Sequence, residues 1–151
     1  MGAYERTQHA TLMWFVVLPV VAVVVAAAWF TNPSLAMLVP VVLAFIPIVL
    51  VVAVFARLTI RADANAVRWY FGWGWPRGAI AMGEIQRAEV TRTNWQEGWG
   101  IHWTSWHGWL WNAGGFQAVE LFKSDGSRVT LGTDDPQGLL QAIERFRRGA
   151  A

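Results

Sequence analysis

The side chains of this sequence best suited to acid–base or metal chemistry are two histidines beyond the N-terminal tail, His102 and His107, and three glutamates, Glu84, Glu89 and Glu97. No adjacent Asp, Glu or Cys completes a metal or nucleophile pattern around either histidine, and the glutamates lack the paired spacing of an acid and a base. The absence of Cys removes thiolate ligands, cysteine nucleophiles and disulfides. Two Gly-x-Gly pairs, at Gly72 and Gly98, lack the third glycine and the strand-to-helix setting of a dinucleotide loop, and Trp73 and Trp99 between the glycines would obstruct a phosphate. The chemistry-bearing residues therefore predict a protein that is not an enzyme, with no catalytic residue, cofactor or metal.

What the sequence does concentrate is tryptophan. Of eleven, Trp95, Trp99, Trp103, Trp106, Trp109 and Trp111 fall in one stretch with Gly98, Gly100 and Gly108. Those glycines oppose a helix, so a hairpin turning near Ser105 to Gly108 is predicted, with a loop through Asn112 to Gly115. Two readings stay open. The rings fill a β core and pair across strands, or some of them form an interface, set in a headgroup region or a partner's groove, because indole joins a large apolar area to one donor. In the second reading Trp106, at the hairpin tip, is the ring expected at the membrane surface. Nucleic acid is not an expected partner: the net charge is only +2 and the basic residues are dispersed.

The elements that position these residues begin with a sharp change of composition. Fifty-five per cent of the 151 residues are hydrophobic and the mean hydropathy is +0.33, more apolar mass than one small soluble core needs. The excess lies between Ala10 and Ala56, which contain no Asp, Glu, Lys, Arg or His. Two runs, about 11–30 and 35–56, are separated by Thr31, Asn32, Pro33 and Ser34. Each is long enough to span, since roughly 20 residues at about 1.5 Å cover a 30 Å hydrocarbon core. A cleaved signal peptide ending near Ala26 to Ala28 fits less well, because the apolar run continues through Trp29 and Phe30. Arg57, Arg61 and Arg68 follow the second run, Arg6 precedes the first, and the connecting loop is uncharged. By the positive-inside rule the N-terminus and the segment after Ala56 are both predicted cytoplasmic, in a multi-pass protein of the cell (inner) membrane. Residues 1–56 are thus read as a tail and two transmembrane helices, and 57–151 as a separate β domain.

After Ala56 the apolar period becomes two. Leu58 and Ile60, then Val67, Trp69 and Phe71, flank Asp63-Ala64-Asn65 as a hairpin. Strands are predicted from Gly78 to Met82, Ile85 to Arg92 and Trp99 to Thr104, and again on either side of Ser124-Asp125-Gly126-Ser127, for about seven in all. A closing amphipathic helix is predicted over about 135–148: Asp134 and Asp135 precede Pro136, and Leu139, Leu140, Ile143 and Phe146 make an apolar stripe ending in Arg145, Arg147 and Arg148.

Strands followed by one C-terminal helix, together with Trp69-Tyr70-Phe71-Gly72-Trp73-Gly74-Trp75-Pro76-Arg77, Gly98-Trp99-Gly100-Ile101 and Leu131-Gly132-Thr133-Asp134-Asp135-Pro136, resemble bacterial membrane-anchored pleckstrin-homology-like (PH-like) proteins over roughly 57–148. The resemblance implies a β barrel plugged at one end by the helix, and attachment to a membrane. The first hairpin turn, Asp63-Ala64-Asn65, lacks the basic cluster of phosphoinositide-binding PH domains, so that recognition route is not expected. The expected role is a non-enzymatic binding or assembly module whose partners are the lipid bilayer and a membrane or membrane-proximal protein, with self-association left open. The alternative is a structural subunit of a membrane complex that associates through its helices.

Overall fold

The computed structural model describes residues 2–31, 34–94 and 97–150. Two long helices, α1 (Thr11–Thr31) and α2 (Leu35–Phe55), are framed by nine strands and a C-terminal helix. The strands are β1 (Tyr4–His9), β2 (Arg57–Ala62), β3 (Ala66–Phe71), β4 (Arg77–Ala81), β5 (Ile85–Arg92), β6 (Gly100–Thr104), β7 (Gly108–Asn112), β8 (Gln117–Lys123) and β9 (Arg128–Gly132); α3 spans Pro136–Ala150. They form two sheets, of order β1-β2-β3-β4 and β5-β8-β9-β7-β6, rather than one closed barrel of about seven strands. Among the described residues no strand ladder joins the two sheets, and in the second, β7 and β9 run parallel.

One expectation about the helices is reduced. Met13–Thr31 is long and apolar enough to cross a membrane, and none of it is buried against the rest of the chain. In α2 (21 residues) the described apolar stretch is Val39–Phe55, so among the described residues one helix, not the expected pair, meets the length and composition of a span.

The tail expected before the helices is instead the edge strand β1. It pairs antiparallel with β2 along its whole length, from Tyr4↔Ala62 to His9↔Arg57. Its sequence, Tyr-Glu-Arg-Thr-Gln-His, carries no apolar alternation, so periodicity gives no sign of it. Polar contacts hold it: Thr7 to Thr59 at 2.9 Å, Arg61 to Glu5 at 2.9 Å, and the Gln8 amide donating to the Gly132 carbonyl at 2.7 Å. The Arg6 guanidinium grips Asp134 with two bonds of 3.0 and 2.9 Å, an exposed bidentate pair that fixes register more than it adds stability.

Both helices grow directly out of this strand pair. Ala10 alone separates β1 from α1 and Ala56 alone separates α2 from β2, and the Ala10 amide donates to the Ala56 carbonyl at 2.7 Å. Gly72, after β3, seals the junction. Its φ of +50° suits glycine, and a Cβ there would lie 3.1 Å from the Val54 backbone of α2.

The inner faces of the sheets meet through Leu58, Ile60, Val67 and Phe71 on one side and Val119, Leu121 and Leu131 on the other. Helix α3 closes this core with Leu139, Ile143 and Phe146. Full burial of such side chains is worth about 1.5–3 kcal/mol each. The helix begins as its sequence predicts: the Asp135 carboxylate accepts from the Gly138 amide at 3.0 Å, an N-terminal cap.

The Tyr4 hydroxyl also donates to the Asp135 carboxylate, at 3.2 Å. Burial first, and then the Asp135 charge, push the Tyr4 phenol well above its ordinary pKa. A raised folded-state pKa contributes stability that is complete below the ordinary tyrosine value near 10 and is lost as pH rises beyond it. Alkaline titration should therefore release β1 above about pH 10, and Tyr4→Phe should remove that dependence. Amide-exchange protection of residues 4–9, taken at each pH relative to the same segment in the unfolded chain, measures both; protection that stays unchanged above about pH 10 in the native chain would contradict the linkage.

Candidate functional site

The tryptophan-rich segment is the expected hairpin, with Ser105 to His107 as its turn and β6 as the edge of the second sheet. Trp95 lies outside the described residues. The remaining five rings separate into three places. Trp111 points into the core, edge-on to Trp69 with centroids 5.6 Å apart and stacked against Phe71 at 6.1 Å. Strand alternation puts Trp103 and Trp109 on that same face, as a directly opposed pair nearer the turn. There the first sheet no longer covers them, and they are 64% and 51% exposed. Trp106, in the turn, is 75% exposed.

Trp99 is at the other end of the hairpin. It lines a cavity with His9, Thr11 and Met13 at the start of α1, and nearby a Cβ on Gly114 would come within 3.2 Å of the Ala10 side chain. From Gly100↔Asn112 at this end, the pairs run to Thr104↔Gly108 at the turn. Four steps of about 3.3 Å carry the tip about 13 Å along the hairpin from the helix base. Trp106 thus sits at the end of the hairpin remote from α1, while Trp99 sits beside it.

Trp109 and Trp111 also form one wall of a groove of about 460 Å³ whose opposite wall is Gly78, Ala79 and Ile80 of β4. The buried Trp69 indole lies across Gly78, where a Cβ would collide with it, so glycine at 78 is needed to seat the ring. Among the described residues Trp69 Nε1 has no hydrogen-bond partner. The charged residues lining the groove are Lys123 and Arg128, with no carboxylate among the described lining.

Two features escape sequence reading. Trp73 and Trp75, in the turn between β3 and β4, are 78% and 74% exposed, and Trp73 lines a cavity with Trp14, Ala53 and Ala56 at the helix base. Their signal was the Trp-Gly-Trp-Pro run, legible as a turn but not as a surface. The second is a polar cluster on the outer face of the second sheet. His107 lies 3.4 Å from Glu97 and 3.7 Å from Glu120, and Arg128 lies 3.7 Å from Glu120. All but Arg128 are largely buried. Glu97 comes from the loop before β6 and Glu120 from β8, so only the fold joins them to His107. Among the described residues no group of three ligands is arranged to hold a metal ion. The cluster ties the Glu97 loop to the sheet, and the Glu97 carboxylate also accepts from the Asn94 amide at 3.0 Å.

No family model matches the chain, and neither a curated protein nor a solved structure matches it. The geometry alone bears the functional reading.

Proposed function

We propose that the chain is a multi-pass, membrane-anchored, non-enzymatic binding or assembly module, whose β domain lies against the cytoplasmic face of the cell membrane and docks a protein partner. The observation that carries this reading is the double junction of strand and helix. Because pairing of β1 with β2 holds Ala10 and Ala56 one hydrogen bond apart, an α1 that crosses the bilayer obliges α2 to return. With 21 residues, α2 reaches about 31 Å at about 1.5 Å each. Arginines at both ends of the pair and none between them favour the cytoplasmic side for the β domain. A β-rich domain closed by one packed C-terminal helix supports the PH-like resemblance; the parallel pair β7–β9 and a strand preceding the helices depart from it.

The partner surface is the wall of Trp103, Trp106 and Trp109 with the groove beside it. Large exposed aromatics clustered on the hairpin suit binding anchors, and the groove, whose described lining is apolar apart from Ser127 and the ion-paired Lys123 and Arg128, favours a partner segment that brings an apolar side chain. A photo-crosslinking side chain placed at Trp103 or Trp109 in the full-length protein, in native membranes, should give a discrete heavier product. The yield should drop severalfold when Lys123→Glu and Arg128→Glu are added. Equal yield from the exposed Gln141 of α3, or no product at either tryptophan, would contradict the assignment. With the partner in hand, Trp109→Ala should weaken binding about 30-fold, the ~2 kcal/mol of an aromatic anchor.

A further inference from the structure

The end of the β domain from which the helices leave differs from the rest in both charge and aromatic content. Arg57 opens β2 directly after α2. Arg77 opens β4 beside the Gly72 turn that packs on Val54, and Arg92 closes β5 opposite Gln117, next to the Gly114 loop that touches Ala10. Among the described residues none of these three arginines makes an ion pair, which holds also of Arg145, Arg147 and Arg148 on α3, whereas Arg6, Arg61, Arg68, Arg87, Lys123 and Arg128 all do; what sets this end apart is that its unpaired arginines stand among exposed tryptophans. Arg57 uses its guanidinium on the Gly72 carbonyl at 2.8 Å, fixing the turn that presents Trp73 and Trp75. The Asp134 carboxylate, which lines the cavity with Trp99 at this end, is already engaged by Arg6 at 2.9 Å.

Resting on the membrane-anchored reading above, we infer that Arg57, Arg77 and Arg92, interleaved with Trp73, Trp75 and Trp99, form a headgroup-docking rim that selects anionic phospholipids in the leaflet from which α1 and α2 emerge. The physical requirements are met together. One-residue links at Ala10 and Ala56 leave the rim no freedom to lift away from the level where the helices meet the interface. Indole rings partition to that level, and each arginine near an anionic surface adds attraction that decays within a Debye length. Trp106, on the remote end of the hairpin, has no part in this rim.

The test uses the full-length protein reconstituted into vesicles of phosphatidylcholine alone or of equal parts phosphatidylcholine and phosphatidylglycerol, with spin-labelled forms of each lipid as probes. The native protein should immobilise labelled phosphatidylglycerol in preference to phosphatidylcholine, and added salt should weaken the preference. Arg77→Gln with Arg92→Gln, both exposed, should reduce it at least fivefold, since a single basic contact at the surface carries about 1 kcal/mol and two are removed. Arg145→Gln with Arg148→Gln removes the same charge from the last turns of α3, where Arg147 meets Gln86 near the opposite end of β5, and should leave the preference intact. Equal loss from both pairs would show bulk charge rather than a rim and overturn the inference, as would no preference in the native protein. Alkaline carbonate separates this from the anchoring itself: a chain that stays in the vesicles without lipid preference refutes the rim alone, and one released by carbonate refutes the anchor on which the rim depends.

Discussion

Ile143→Asp is expected to unfold the β domain. Ile143 is fully buried where α3 meets both sheets, together with Leu139 and Phe146. Aspartate there loses the transfer free energy of a large aliphatic side chain, about 1.5–3 kcal/mol, and puts a carboxylate among apolar groups with no partner, a further cost of several kcal/mol unless it protonates. Domains of this size are stable by about 5–15 kcal/mol, so the folded population should collapse. Near-ultraviolet circular dichroism of the purified full-length protein in detergent would read the loss of fixed tryptophan packing. Leu140, which the sequence stripe includes on equal terms, is only partly buried, so Leu140→Asp should cost clearly less. Glu144→Gln, on the exposed face of the same helix, should shift stability by no more than about 0.5 kcal/mol. An unchanged thermal transition in Ile143→Asp would mean that α3 does not close the core.

The parts of the fold legible in the sequence are those where one local signal dominates. The capped start of α3 at Asp135 and Pro136, the period-two runs of β2, β3 and β5, and the turns at Asp63 and Asp125 all stand where local chemistry puts them. Both turns are fixed by an aspartate held below the usual carboxylate range: Asp63 by the Asn65 and Ala66 amides it accepts, Asp125 by the Ser127 hydroxyl, the Lys123 ammonium and the Ser127 amide. The illegible parts depend on contacts far apart in the chain. Strand β1 is polar on both faces and exists because Gln8, Arg6 and Tyr4 find partners more than a hundred residues away. Closure was misjudged for a related reason: counting strands does not reveal that β7 pairs parallel with β9 and leaves the first sheet separate.

The tryptophan segment shows the same limit on a smaller scale. Alternation in β6 and β7 was readable, so Trp103, Trp109 and Trp111 could be assigned to one face. Which of them the first sheet covers is set by where β3 and β4 lie, and only the assembled fold makes Trp111 core and Trp109 surface. The position of Trp106 likewise follows from which end of the hairpin meets α1, information carried by the contact of Gly114 with Ala10. His107, Glu97 and Glu120 repeat the pattern, since their spacing in sequence gives no hint of their convergence.

The central proposal is that paired strands β1 and β2 hold the Ala10 and Ala56 ends of the helices on one side of a membrane while Ser34 lies on the other. The chain has no native cysteine, so single substitutions Ser34→Cys and Ser124→Cys give unambiguous reporters for a membrane-impermeant thiol reagent applied to intact cells. Ser34→Cys, between α1 and α2, should label from outside at once, and Ser124→Cys, in the turn between β8 and β9, only after lysis, an all-or-none contrast. Labelling of both from outside, of neither, or in the reverse order would contradict the account.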